Sequence, residues 1–231
     1  MFLDPNKLSE EGIASLGSSA WSENGNYFAY AVQMGGSDWS TIYVRDGNTK
    51  QDLDDKLEWV KFSSIAWTKD EAGFFYSRFD DPDVDNLAKA AQNTEKLEFQ
   101  KVYYHFVGTD QSEDQLIYEN KEQPDYTYGV ATTDDGRYVV ISTMKNTDDI
   151  SLVSVADIFG GLDPEEKNEL EFKKIIPEWI GGFNLIHNYD EKFLFKTNYD
   201  APMGRVIMID INKPEKEHWV ELIPENEEEP L

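Results

Sequence analysis

Cysteine is absent from this chain, so disulfides, cysteine-based zinc sites and thiol nucleophiles are excluded. The absence fits a reducing compartment, and a cytoplasmic setting is expected. Basic residues are scarce: 21 Lys and Arg stand against 46 Asp and Glu, a formal charge of −25. Phosphate binding needs a Lys/Arg patch, so no nucleic-acid partner is expected, and an anionic membrane surface would repel the chain. No apolar run approaches the roughly 20 residues that span a bilayer, and the start Met1-Phe2-Leu3-Asp4-Pro5 has neither the basic nor the apolar segment of a signal peptide. Only three histidines are present, with no His-x-His or His-x-x-x-His pair. No metal site or cofactor is expected.

Aromatic residues are plentiful, at 13% of 231 residues, which argues for a folded chain despite the charge. They fall in a repeated phrase. Ser19-Ala20-Trp21-Ser22-Glu23-Asn24-Gly25-Asn26-Tyr27-Phe28 is followed by Ile65-Ala66-Trp67-Thr68-Lys69-Asp70-Glu71-Ala72-Gly73-Phe74, and then by Val130-Ala131-Thr132-Thr133-Asp134-Asp135-Gly136-Arg137-Tyr138. Each is an apolar strand end, a polar turn and a new aromatic strand. Repeats of about 45 residues or more of this type signal β-propeller blades. Asn24-Gly25 alone is a hairpin signal.

The reading is all-β: a propeller segment of about four four-stranded antiparallel blades, over residues 13–58, 59–122, 123–177 and 178–224. Residues 1–6 are expected to be the outer strand of a preceding blade, and 225–231 a frayed acidic tail. Aromatic and β-branched residues alternate through Tyr27-Phe28-Ala29-Tyr30 and Tyr138-Val139-Val140-Ile141, as strands buried on both faces require. An open arc leaves its end blades uncovered, so self-association through them is expected. The polar stretch from Asp80 to Phe99, with Leu87-Ala88-Lys89-Ala90-Ala91 at its centre, departs from the pattern and reads as a short helix or a mobile excursion.

The chemistry-bearing patterns are incomplete. A serine hydrolase of the nucleophile-elbow type needs Gly-x-Ser-x-Gly, and neither Gly35-Gly36-Ser37-Asp38 nor Gly17-Ser18-Ser19 supplies it. His105, His187 and His218 read as structural or exposed. Asp81, Asp83 and Asp85 alternate like the first ligands of a calcium loop, but Asn86 and Gln92 stand where that loop needs Gly and Glu. That stretch, and Asp52-Leu53-Asp54-Asp55, read as solvated turns. No catalytic residue is assigned.

Phe2-Leu3-Asp4-Pro5-Asn6, Gly35-Gly36-Ser37-Asp38-Trp39, Val60-Lys61-Phe62-Ser63, Tyr103-Tyr104-His105, Gly108-Thr109-Asp110-Gln111-Ser112-Glu113-Asp114, Asp134-Asp135-Gly136-Arg137-Tyr138-Val139 and Phe195-Lys196-Thr197-Asn198 together resemble the propeller of the prolyl oligopeptidase (prolyl endopeptidase) family. The resemblance runs along nearly the whole chain, in the family's order. It implies a seven-bladed propeller, of which this chain would cover roughly the second to fifth blades. It also implies a separate α/β-hydrolase domain with a Ser-Asp-His triad, absent from these residues. The chain would then be a non-catalytic part of a serine endopeptidase that cleaves short peptides after proline. Alone it would be inactive; with the hydrolase domain it would gate access and line a subsite.

In the family, the Phe of the Val-Lys-Phe-Ser stretch lines an apolar subsite for the substrate residue two before the proline, which places Phe62 there. Without the resemblance Phe62 reads as inter-blade core. The other propeller members are commonly Met and Cys; Thr127 and Thr147 stand at the matching positions, implying a more polar subsite, and the family's nearby Arg is Met144. The resemblance places the polar stretch from Asp80 to Phe99 near an active-site entrance; its length and polarity suit a gating role or, equally, a disordered surface insertion. The alternative is a free-standing propeller that binds a protein or peptide.

Overall fold

The computed structural model describes residues 2–81 and 97–231. The helix expected at Leu87–Ala91 and the Asp83, Asp85, Asn86 and Gln92 positions lie outside the described residues. Those residues fold as fifteen strands with three single 3-10 turns, in antiparallel sheets. The all-β expectation holds.

The chain divides into two compact units, Met1–Val130 with Gly161–Glu169, and Ala131–Gly160 with Leu170–Leu231. In the first, β1 (Ala14–Trp21), β2 (Tyr27–Met34), β3 (Ser40–Asp46), β4 (Asp52–Trp67), β5 (Gly73–Arg78), β6 (Lys101–Phe106) and β7 (Gln115–Tyr118) form one seven-stranded sheet in chain order. The two repeats of this region therefore share a sheet. β4, at 16 residues, joins them. Its first half pairs with β3, as in Ile42↔Leu57, and its second half with β5, as in Ala66↔Phe75. Asp52 to Asp55, expected as a solvated turn, is the start of this strand, and Asp55 is buried.

The second sheet runs β11 (Lys173–Ile176), β10 (Ser151–Asp157), β9 (Tyr138–Lys145), β8 (Tyr126–Thr132); the third runs β12 (Phe183–Tyr189), β13 (Lys192–Thr197), β14 (Arg205–Asp210), β15 (Val220–Ile223). β15 is an edge strand with all four residues exposed. The tail after it is pinned rather than frayed: the Met203 amide donates to Glu225 at 2.6 Å, and the Leu231 amide to Met203 at 2.8 Å.

Strand β2 shows why aromatics alternate with small residues. Ala29 and Ala31 face a core with Ile42, Val44, Leu57, Trp67, Phe74 and Tyr76, while Phe28, Tyr30 and Val32 face the other side. Phe2 and Leu3, expected as an outer strand, are unpaired here and cover that second face; the Phe2 ring lies 4.6 Å from Trp21 and 5.5 Å from Phe28. Arg45 holds them down, donating to the Phe2 carbonyl at 2.6 Å while forking Asp52. In the second unit Tyr138, Val140, Val153, Phe183, Phe193, Phe195 and Ile207 make one core. Each such side chain stabilises the fold by roughly 1.5–3 kcal/mol relative to exposure.

The three repeated turns close identically. The amides of Ser22, Thr68 and Thr133 donate to the carbonyls of Tyr27, Gly73 and Tyr138, five residues on, at 2.9, 3.0 and 3.0 Å. The amides of Gly25, Glu71 and Gly136 then donate back to Ser22, Thr68 and Thr133. Those three residues occupy the left-handed region, with φ of +74°, +60° and +74°. Glu71 thus stands in a glycine position, at a conformational cost of roughly 1–2 kcal/mol.

A clasp to the previous turn offsets that cost. The Glu71 carboxylate accepts from Ser22 Oγ at 2.5 Å, the Asn24 amide at 2.7 Å and Asn26 Nδ2 at 2.6 Å. The second unit repeats the device with different residues: Asn188 donates to Asp135 at 2.8 Å and His187 pairs with Asp134 at 2.6 Å. Burial pushes the Glu71 carboxyl up, but the bonds from Ser22, Asn24 and Asn26 outweigh it and hold it down at about 2. Because the folded carboxyl is the stronger acid, this stabilisation is complete above the ordinary 4.5 and is lost as pH falls through about 2. Glu71→Ala is expected to cost about 1–3 kcal/mol in urea unfolding at neutral pH. The deficit should shrink when the measurement is repeated near pH 3; an equal deficit at both pH values would show the charge to be irrelevant.

Candidate functional site

Strand β4 kinks between its two halves. Trp59 and Phe62 have φ of +61° and +54°, and the pairing register shifts between Val60 and Ile65. Positive φ is a genuine outlier for bulky residues, and such strain persists only where surrounding groups over-determine it. Here they do. The Lys61 carbonyl accepts from Gln100 Nε2 at 2.7 Å, and Ser63 Oγ accepts from the Ser77 amide at 2.8 Å. The Phe79 amide donates to the Trp59 carbonyl at 3.1 Å.

The kink turns Phe62 outward, leaving it 61% exposed, so it is not inter-blade core. Its ring lies 5.1 Å from the Lys61 ammonium, which also sits 5.5 Å from Trp39 and 3.6 Å from Asp38. Trp39 is buried, edge-on to Trp59 and Phe79. A cavity of about 280 Å³ opens beside Phe62, lined by Ser18, Gln33, Asp38, Ser40 and Ser63 among others. The arrangement offers a fixed apolar ring beside polar side chains, which suits binding of an extended peptide side chain.

Thr127 is half-buried in β8, next to Tyr128, whose amide donates to Gln100 Oε1 at 2.6 Å. The backbone beside Phe62, at Lys61, and the backbone beside Thr127, at Tyr128, are thus tied to the same side chain. Thr147 lies in the second unit, exposed in the turn between β9 and β10, and Met144 is half-buried on β9 opposite Ser151. Asp81 is exposed. Among the described residues, no group of three or more His, Cys, Asp or Glu side chains is placed to hold a metal ion.

A second polar cluster lies fully buried. His105 Nε2 meets Asp55 Oδ1 at 2.9 Å, and its Nδ1 meets Asp114 Oδ1 at 2.6 Å. The Gly108 amide donates to Asp55 at 2.7 Å, and the Tyr76 hydroxyl to Asp114 at 2.5 Å. Gln111 spans the Glu58 backbone, accepting from its amide at 2.9 Å and donating to its carbonyl at 3.0 Å. Burial pushes the imidazole down, but the Asp114 and Asp55 bonds outweigh it and raise His105 to about 9. With 0% exposure the ring meets no substrate. It is an imidazolium that staples β4 and β6 to the Gly108 to Asp114 segment, which gives that motif a structural purpose.

A family model described as prolyl oligopeptidase, N-terminal beta-propeller domain, matches residues 1–231. The chain belongs to this family. Prolyl oligopeptidase A of Amanita bisporigera is 40% identical over 237 residues, covering 97% of this chain and 30% of that protein. The prolyl endopeptidase of Elizabethkingia meningoseptica is 37% identical over 228 residues, covering 99% and 30%. The structure of prolyl oligopeptidase B from Galerina marginata bound to a 25mer macrocyclization substrate superposes with a TM-score of 0.83 at 33% identity, over 96% of this chain and 31% of that one. The chain spans about 30% of the length of the prolyl oligopeptidases it matches. The β-propeller segment read from the repeats is therefore that of a prolyl oligopeptidase propeller, and the motif residues quoted for the resemblance lie within it.

Proposed function

We propose that this chain is the propeller portion of a peptidase that cleaves short peptides after proline. In this reading it limits access to an α/β-hydrolase domain and supplies one wall of the subsite for the residue two before the proline. Phe62 provides the apolar face, while Thr127 makes the wall more polar than an aliphatic or sulfur-containing side chain would. The stretch from Asp80 to Phe99 would contribute to gating. The observation that carries the reading is Phe62 itself: a large ring held exposed, on a strained backbone, in the middle of a strand. Hydrophobic burial alone would have turned it inward.

The test uses the product of the complete gene. It is expected to cleave blocked peptides after proline. Phe62→Ala should raise KM roughly tenfold for peptides with leucine two before the proline, as loss of about 1.4 kcal/mol of apolar contact predicts. Glycine at that position should make the variant and the parent alike. An equal KM for both peptides in parent and variant would sink the subsite reading.

A further inference from the structure

We propose that Gln100 is a positioning residue that sets the substrate-facing wall of this propeller, acting through Phe62 and Thr127. The proposal rests on the reading of those two residues as subsite members. Gln100 immediately precedes β6 and is 1% exposed. Both ends of its carboxamide are committed. Nε2 donates to the Lys61 carbonyl at 2.7 Å, and Oε1 accepts from the Tyr128 amide at 2.6 Å. The partners fix the orientation of the group, since a carbonyl only accepts and a backbone amide only donates.

Each bond pins one peptide plane. The Lys61 carbonyl belongs to the plane that leads into Phe62, and the Tyr128 amide to the plane that leaves Thr127. One buried amide therefore orients two subsite residues that lie on different strands, β4 and β8. The left-handed Phe62 backbone needs such a restraint more than an ordinary strand residue does.

Other bonds hold the same strands without Gln100. Ser64 Oγ on β4 both accepts from the Val130 amide and donates to its carbonyl, at 2.8 Å each, and from the neighbouring β5 Ser77 Oγ donates to the Tyr128 carbonyl at 2.9 Å. Loss of one Gln100 bond should accordingly move the wall rather than separate the strands. Gln100→Glu is suited to this, because it keeps an acceptor for Tyr128 and sets a second oxygen against the Lys61 carbonyl.

The experiment measures steady-state kinetics of the complete enzyme with two blocked peptides, carrying leucine or glycine two residues before the proline. For Gln100→Glu, KM for the leucine peptide is expected to rise about tenfold with kcat changed by less than about twofold, and the glycine peptide to be affected less than about twofold. In the same variant, a 19F label on Phe62 should shift or broaden. Equal losses on both peptides, or an unmoved Phe62 signal, would overturn the proposal and reduce Gln100 to a fold-stabilising residue. Phe62→Ala run in parallel separates the two failures. If it abolishes the leucine preference while Gln100→Glu retains it, the positioning role is wrong and the subsite stands. If Phe62→Ala leaves the preference intact, the subsite reading fails and carries the positioning role with it. Should Gln100→Glu not fold, Gln100→Asn, which shortens the arm, takes the same measurements with the same expectations.

Discussion

His105→Ala is expected to lower stability by about 3–5 kcal/mol, the range for removing one partner from a buried charge pair. In a protein of this size that is roughly 6–20 °C in Tm. The size comes from what remains. Asp55 and Asp114 would be left buried with no cation between them, and Asp55 Oδ2 already lacks a hydrogen-bond partner. Desolvation and the Asp114 charge hold the Tyr76 hydroxyl well above its ordinary range, so it stays a donor but cannot supply the missing charge.

The same cluster fixes a pH dependence. Folded His105 holds its proton up to about 9, against an ordinary 6.5. The folded state therefore binds the proton more tightly than the unfolded one. Its stabilisation is complete below 6.5 and is lost as pH rises through about 9. Urea midpoints at pH 6, 8 and 10 should fall steadily for the parent and much less for His105→Gln. Parallel profiles for the two proteins would show that the ring is neutral in the fold.

Gly73→Ala is the other change expected to be severe, at about 3 kcal/mol, the upper end of ordinary overpacking costs. A Cβ there would lie 2.0 Å from the His105 carbonyl oxygen and 2.9 Å from two carbons of the Tyr104 ring. Side-chain rotation cannot relieve contact with a backbone atom. That carbonyl is also poorly able to retreat, because the His105 side chain is clamped at both nitrogens. Gly17→Ala is the control: its Cβ would meet the nearest atom, Ala31 Cβ, at 3.4 Å, and its effect should stay within about 1 kcal/mol. Equal shifts in denaturation midpoint for the two variants would show that close approach is not what selects glycine at 73.

The two predictions concern positions that the sequence marks unequally. Gly73 reads as the end of a polar turn, whereas it is the first residue of β5, chosen for the neighbouring strand. His105 reads as structural or exposed, but its partners Asp55 and Asp114 belong to segments read as a turn and as a family motif. Nothing local ties them together. They meet because β4 and β6 flank β5 in one sheet. Gln100 carries no local signal, since a lone Gln before a strand has no spacing rule; only its two bonds, to a β4 carbonyl and a β8 amide, reveal its use. Glu71 was hidden for the opposite reason: it occupies a slot that the sister turns fill with glycine.

The sequence by itself determined the strand–turn–strand repeat, the two-sided burial of its inner strands and membership of the prolyl oligopeptidase propeller family. The first two follow from alternation and turn chemistry, which act over a few residues; the third rests on the order of the quoted motifs, which the family match bears out. Only the tertiary structure decided that β4 runs unbroken through two repeats, that Phe62 is turned outward at its kink, and that His105 is a buried cation. The first depends on β4 pairing with β3 along one half and β5 along the other, and the last two on side chains distant along the chain, Gln100 at the Lys61 carbonyl and Asp55 at the His105 ring. Such partners are brought together by sheet order, and local propensity carries no record of it.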